Sequence, residues 1–575
     1  MNVRRRSAAA SRRRPGRRRR TGSVLLAVLV LVLLLTFGVY GFTERMLAEK
    51  AAANAHGVAA RSRACADSGV ALALALVDEG TANPAAPPPI YHEPAALRGV
   101  LVSPSDDPLG NGRFTVFAPV EGDPTGSQLR FGLIDESGKL DVNGLLNLTV
   151  RDQELTETQQ RDLLMGLPNM TEEIADAIFD FIDEDSDVRE FGAEYDAYAA
   201  LDPPRVPRDG PIDSVDELLL VQGVTPALLY GEDANRNGLL DPGENDGDAT
   251  YPPDNADGLL DVGWTAYLTV HGGEPNLNAD GEEKIDLNDG VLTDLFDALE
   301  EAFDTETAQF VVAYRLAGPL DPENSSDSLD PNADVDALME EGLDENGNPT
   351  TPTATEEEQV DAMAGALADL IGGADEETTV TRAGMDLSGG ATTDIGSFYD
   401  LVDREVEIEI DGELTTLYSP FQSGAMLDEL PSILQTVTTF DTEVIRGRVN
   451  VNQARYGALM GVPGMSQALA EQIDAARMIG AGGEARPDLH AQRLTPFWLV
   501  ADGLTDLPTL RRLDPFITAR GGFFRVRSIG YVEGGGPAVR VEAVIDGTTA
   551  PARLVEMRDL SDLGRGVPRA MLSAP

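Results

Sequence analysis

The best candidate for site chemistry in this 575-residue sequence is Asp233-Ala-Asn-Arg-Asn-Gly-Leu-Leu-Asp-Pro-Gly-Glu244. It fits a twelve-residue loop: Asp233, Asn235 and Asn237 at positions 1, 3 and 5, Gly238 at 6, the Leu239 carbonyl at 7, Asp241 at 9 and Glu244 at 12. Hard oxygen ligands at this spacing wrap one Ca2+ ion while the glycine makes the sharp turn. The plain alternative is a solvated loop of Asx turns. Pro252 and Pro253 interrupt the stretch where a second flanking helix would stand, so the loop reads as a structural clamp rather than a sensor that opens. A weaker echo, Asp183, Asp185, Asp187 and Glu194, keeps positions 1, 3, 5 and 12 but has Val188 where glycine belongs, and is a candidate second metal set. Asp254, Asp257 and Asp261 read as a fragment, a helix-cap and turn cluster. No catalytic residues emerge: there is no GxSxG elbow, no HExxH and no cysteine–histidine pair, so the chain reads as a non-enzyme. The four histidines are scattered, and the single cysteine, Cys65, permits no intramolecular disulfide.

An internal repeat must position these groups. Lys139-Leu-Asp-Val-Asn143, Lys284-Ile-Asp-Leu-Asn288 and Arg448-Val-Asn-Val-Asn452 share a pattern of basic, apolar, Asx, apolar, Asn, with the last Asn expected to cap the helix that follows. Two copies lead to helix–turn–helix hairpins, Leu163–Met170 into Thr171–Ile182 and Leu459–Met465 into Ser466–Ala476; Thr171 and Ser466 are placed as caps. A third hairpin, Leu218–Gln222 into Gly223-Val-Thr-Pro226, lacks the strand-like lead-in. Hairpins of this helix-hairpin-helix kind bind DNA when a Gly-apolar-Gly turn aims backbone amides at a phosphate. Here Thr171, Thr225 and Ser466 replace the second glycine. The net charge is −54, and removing the ten arginines of residues 1–22 takes it to −64. Such a surface repels a phosphate backbone, so no nucleic-acid partner is expected.

Ser23–Phe42 is an uncharged apolar run long enough to cross roughly 30 Å of hydrocarbon as a helix. The ten arginines before it hold residues 1–22 in the cytoplasm. A cleaved signal peptide, with its site in Ala51–Ala55, is the plain alternative. The sharper expectation is cleavage after Gly22, leaving Ser23 as the new N-terminus of a permanent anchor. Gly22 at the basic-to-apolar border resembles the leaders of pilins and pseudopilins, most of which carry Glu at the fifth mature position. Here that position is Ala27.

The remaining chain divides by composition. Residues 1–22 form the leader, 23–42 the span, 43–138 a continuing helix and first strands, 139–317 a helical insertion with the calcium-type loop, 318–384 an acidic disordered linker with one short helix near 360–371, 385–510 a hairpin and second helix-hairpin-helix unit, 511–557 the C-terminal strands, and 558–575 a frayed tail. Residues 113–117 and 129–134 alternate as two antiparallel strands joined by a polar loop; Asp411-Gly412 and Gly534–Pro537 mark two later hairpins.

Three stretches, FGLIDESGKLDVN (131–143), ADAIFDFIDEDSDVREFGAEYDAY (175–198) and GRVNVNQARYGALMGVPGM (447–465), resemble in order and spacing the protein K family of the type II secretion system. The resemblance implies an α+β fold, with the transmembrane helix continuing into a pseudopilin domain with an antiparallel sheet that carries large all-α, SAM-like insertions. It also implies a minor pseudopilin at the pseudopilus tip, partnered by minor pseudopilins I and J, processed by prepilin peptidase, anchored in the inner membrane and mostly periplasmic. That family's association with calcium in its insertion bears on the second metal set. This K-type chain departs from compact members in its length, its calcium-type loop and its acidic linker. A membrane-anchored DNA receptor of the competence type is the alternative function.

Overall fold

The computed structural model describes residues 22–82, 88–146, 148–150, 153–278, 282–320, 380–476 and 493–572. The arginine leader and the acidic linker with its short helix lie, apart from their edges, outside the described residues. By internal contacts the chain forms two units, Met1–Arg61 and Ser62–Pro575.

In the first unit the described part is one helix, which begins at Gly22 and runs on into the second unit as far as Ala82. Residues 24–57 are exposed throughout, including the whole apolar run, a surface suited to hydrocarbon rather than water.

The second unit is built on a six-stranded antiparallel sheet. Its order is Val100–Ser103, Gly112–Val116, Phe523–Val532, Val539–Asp546, Arg553–Asp559, with Ile134–Asp135 also pairing the long strand. Cys65, Ala66, Val70, Ala73 and Val77 of the long helix pack on one face against Phe114, Val526, Ile529, Val541 and Ile545. Helix and sheet meet closely at two glycines. A Cβ on Gly530 would stand 1.9 Å from the Ser62 carbonyl oxygen, and one on Gly69 would stand 2.3 Å from Ser528 Oγ. Gly69, a weak point for an isolated helix, is thus required by packing.

Three expectations need correction here. Residues 113–117 and 129–134 do not pair with each other: Gly112–Val116 lies between Val100–Ser103 and Phe523–Val532, while Leu129–Arg130 takes Ala118–Pro119. The ten-residue C-terminal strand buries more apolar surface than a local hairpin could, and it outcompetes the nearer partner. The tail is not frayed. A strand runs to Asp559, Val567 and Leu572 are buried in the sheet core, and the Leu572 carbonyl accepts from Thr115 Oγ1 at 2.8 Å and Tyr531 Oη at 3.2 Å. The insertion expected over residues 139–317 is not all-α either.

Each repeat contributes a short parallel strand pair: Leu140–Asp141 with Leu268–Thr269, Ile285–Asp286 with Val437–Thr438, and Val449–Asn450 with Ile517–Thr518. The first, second and third repeats therefore span residues 139–270, 284–439 and 448–519. The Asx of each run accepts the N–H two residues on, at 3.2, 2.9 and 2.9 Å for Asp141, Asp286 and Asn450. The final Asn does not cap a helix. Asn143 exchanges two hydrogen bonds with the Ile212 backbone, Asn288 does the same with Ile395, and Asn452 donates to the Arg493 and Ala519 carbonyls. A buried amide that satisfies backbone from a distant segment staples the repeat shut. The hairpin helices form as expected: Thr171, Thr225 and Ser466 accept from the backbone three residues on. Ahead of the Leu218 hairpin, the Ile212 segment is stapled by Asn143 and forms no strand, as expected.

Candidate metal centres

The loop at 233–244 folds around its own polar groups. Asp233 accepts the N–H of Asn237 at 2.9 Å and that of Gly238 at 2.8 Å. Glu244 reaches back to the N–H of Asn235 at 3.4 Å and of Asp241 at 3.0 Å. The side-chain amides of Asn235 and Asn237 converge on Asp241 Oδ2 at 2.6 and 2.9 Å. Gly238, at φ +73°, makes the turn, and the Leu239 side chain is buried in the sheet core. Burial, with Asp233 and Asp241 close by, pushes the Glu244 carboxyl up to about 7; burial also raises Asp233. Asn235 Oδ1 is buried without a hydrogen-bond partner. Turning the Asn235 amide over would present its oxygen beside Asp241, an oxygen donor of the kind Ca2+ takes, whereas Asn237 Oδ1 already accepts the Leu239 N–H at 2.6 Å.

This loop is also a joint. It is carried by the insertion, yet Leu240 N–H donates to the Gly126 carbonyl at 2.9 Å, Arg540 donates to the Asn235 carbonyl, and Asn237 Nδ2 donates to the Gly566 carbonyl.

A second loop repeats this wiring, and the sequence reading passed over it as a fragment. Asn255 Nδ2 donates to Asp261 Oδ2 at 3.1 Å, as Asn235 does to Asp241. Glu232 accepts the N–H groups of Asn255 and Asp261 at 3.3 and 3.4 Å, as Glu244 does for the first loop. Asn245 accepts the Gly258 N–H at 3.1 Å, where Asp233 serves Gly238. The backbone agrees: Arg236 and Gly238 have φ of +58° and +73°, Ala256 and Gly258 of +54° and +81°. The loops join at a bridge between Gly231 and Val262. The available signal was the pair NGLLD (237–241) and DGLLD (257–261). The glutamate comes from before the loop rather than after it, so a one-way pattern misses it.

The weaker set is divided. Asp183 and Glu194 lie near Asp180, whose carboxylate is fully buried, while Asp185 and Asp187 are exposed. Asp180, Asp183 and Glu194 each leave one buried oxygen without a hydrogen bond. Burial raises all three, Asp180 and Asp183 to about 6 and, with added repulsion from those two, Glu194 to about 7. The cation nearest them is Arg189, its Nε 3.4 Å from Asp180 and 3.8 Å from Asp183. Among the described residues no three His, Cys, Asp or Glu side chains are grouped to hold a metal. An ion in either loop therefore depends on amide and carbonyl oxygens as well.

Residues 138–230 match the family model for protein K of the type II secretion system (T2SS). Over that segment the chain is similar to the protein K family. The matched segment covers the strand opening the first repeat, both of its helical hairpins and the Asp180–Glu194 cluster, and it ends just before Glu232. No curated protein matches the chain. Among solved structures it is similar to a chain of the GspK-GspI-GspJ complex from the Type 2 Secretion System of enterotoxigenic Escherichia coli, at 11% identity and a TM-score of 0.32, over 90% of this chain and 99% of that one. In this chain both calcium-type loops lie beyond the matched segment.

Proposed function

We propose that this protein is a minor pseudopilin of the type II secretion system that docks with minor pseudopilins of the I and J types at the pseudopilus tip and supports export of folded proteins across the outer membrane. The protein K match over residues 138–230 carries the proposal. In it, the Gly22–Ala82 helix anchors the chain in the inner membrane with its arginines in the cytoplasm and its bulk in the periplasm. Ala27 offers no carboxylate to a neighbouring subunit's N-terminal amine, which suits a tip position. The test is the mass of the N-terminal peptide of membrane-extracted protein. A chain beginning at Ser23 supports prepilin-peptidase processing; an intact Met1, or a start near Ala55, removes the filament mechanism.

The same proposal gives the loop pair a structural role: Ca2+ held by Asp233, Asn235, Asn237, the Leu239 carbonyl, Asp241 and Glu244 would fasten the insertion to the sheet. A ligand binding only the folded chain at about a hundredfold its dissociation constant adds about 2.7 kcal/mol. Melting temperature should therefore be several degrees higher in Ca2+ than in chelator, and Glu244→Gln should shrink the difference. Equal melting in both removes the clamp.

A further inference from the structure

Two of the three repeats tie their strand pair with a carboxylate. In the first, Glu136 Oε1 accepts from Lys139 Nζ at 3.0 Å and Oε2 from Thr269 Oγ1 at 2.6 Å. In the third, Glu274 Oε1 accepts from Arg448 and Oε2 from Thr518 Oγ1. Glu136 lies three residues before its lysine, whereas Glu274 lies 174 residues before its arginine. The bridge is thus a requirement of the frame, met from different parts of the chain.

The second repeat presents the same two partners, Lys284 and Thr438, on strands in the same parallel register. Thr438 accepts the Phe440 N–H at 3.1 Å, as Thr269 accepts that of His271 at 3.1 Å and Thr518 that of Arg520 at 3.3 Å. Among the described residues, however, no carboxylate joins Lys284 to Thr438. The Lys284 ammonium makes no hydrogen bond or ion pair with them, and the Thr438 hydroxyl donates only to the Phe440 carbonyl, at 3.4 Å.

A cavity of about 80 Å³ lies there, walled by Lys284, Thr438, Arg448, Arg520, Glu274 and Asp514 among others. At roughly 30 Å³ per water it has room for a carboxyl group and the carbon that bears it. Both acids in the wall are engaged: Glu274 with Arg448 and Thr518, Asp514 with Arg448 at 3.1 Å and Ser397 at 2.7 Å. Burial, then the nearby Arg520 and Arg448, push Lys284 down to about 8, the response of a cation short of a partner.

We propose that this cavity binds a carboxylate group, held by the Lys284 ammonium and the Thr438 hydroxyl, which completes in the second repeat the bridge that Glu136 and Glu274 make in the others. The carboxylate is that of a small free acid.

The test is melting of the detergent-extracted full chain in sodium acetate against sodium chloride at equal ionic strength and fixed Ca2+. A saturable rise in melting temperature in acetate is expected, with acetate binding about 10-fold weaker in Lys284→Met, the loss of one charge-assisted hydrogen bond. Lys284→Arg should keep the rise and Thr438→Val should reduce it, and these two variants decide the matter should Lys284→Met fail to fold. A rise in the intact chain supports a free acid. No rise, or the same rise in Lys284→Met, overturns the proposal.

Discussion

The first repeat carries a fully buried carboxylate between its two short strands, whereas the second holds strands of the same length and register with none among the described residues. The Asx turn and the asparagine staple are common to both. They suffice to hold the parallel pair. The carboxylate does something further: Glu136 is also gripped by Arg525 of the central sheet strand, at 2.8 and 3.0 Å, and so fastens the first repeat to the sheet. Frame and fastening are separable, and among the described residues the second repeat has the frame alone.

The largest effect should come from breaking that fastening. Against the cost of its burial, Arg525 and Lys139 hold the Glu136 carboxyl well below the usual range. Its stabilisation is present above about pH 4.3, the unfolded value, and is lost as pH falls toward the folded one. Glu136→Gln would leave Lys139 and Arg525 short of a buried counter-charge, a loss of about 3–5 kcal/mol. Urea denaturation followed through Trp264 of the first repeat and Trp498 of the third, the chain's two tryptophans and both buried, reads it directly. A loss under about 1 kcal/mol would show that the frame, not the carboxylate, holds the first repeat to the sheet.

A smaller effect, of opposite sign, is expected one turn away. Asp141 holds the Asx position that Asn450 fills in the third repeat, but its Oδ2 is buried without a partner, and burial pushes its carboxyl up to about 6. The folded chain keeps this proton up to about pH 6, while the unfolded chain releases it near 4, so stability falls as pH rises between those values. Asp141→Asn removes the titration and keeps the acceptor for Asn143 N–H. It should be neutral at pH 4 and stabilise by about 1–3 kcal/mol at pH 7.5. A variant equally destabilised at both pH values would mean that the charge is compensated in a way Asn450 does not need.

What the sequence made legible follows from how local each signal is. The uncharged run Ser23–Phe42, the Asp411-Gly412 hairpin, the helix caps at Thr171 and Ser466 and the repeat motif itself are written in neighbouring residues, and each appears in the fold. The other half of every repeat was not visible. Leu268–Thr269, Val437–Thr438 and Ile517–Thr518 are two-residue strands with no periodicity to detect, and they pair with strands 68 to 152 residues earlier through the tertiary fold. Likewise the 233–244 loop has its chelating pattern in order along the chain, whereas its partner borrows Glu232 and Asn245 from upstream. Spacing rules find ligands that follow one another; they miss those that arrive from the other side of a fold.

The finest cut through the comparison uses the return-strand threonines. Valine keeps the β-branched shape at Thr269, Thr438 and Thr518 and removes only the hydroxyl, so strand packing is left nearly intact. At Thr518 the change costs Glu274 Oε2 its donor, and at Thr269 it costs Glu136 Oε2 one of its two; a hydrogen bond to a charged acceptor is worth about 1.5–3 kcal/mol. At Thr438 the hydroxyl donates only a 3.4 Å contact to a backbone carbonyl, so Thr438→Val should cost less than about 1 kcal/mol in chloride buffer. All three threonines also accept the N–H two residues on, and that shared loss sets the floor of the series. Equal costs at the three positions would mean that the threonines act only through this turn and that the two carboxylates add nothing through them. A gap between Thr518 and Thr438 that narrows when acetate is added would instead measure, in one series, what the missing carboxylate is worth.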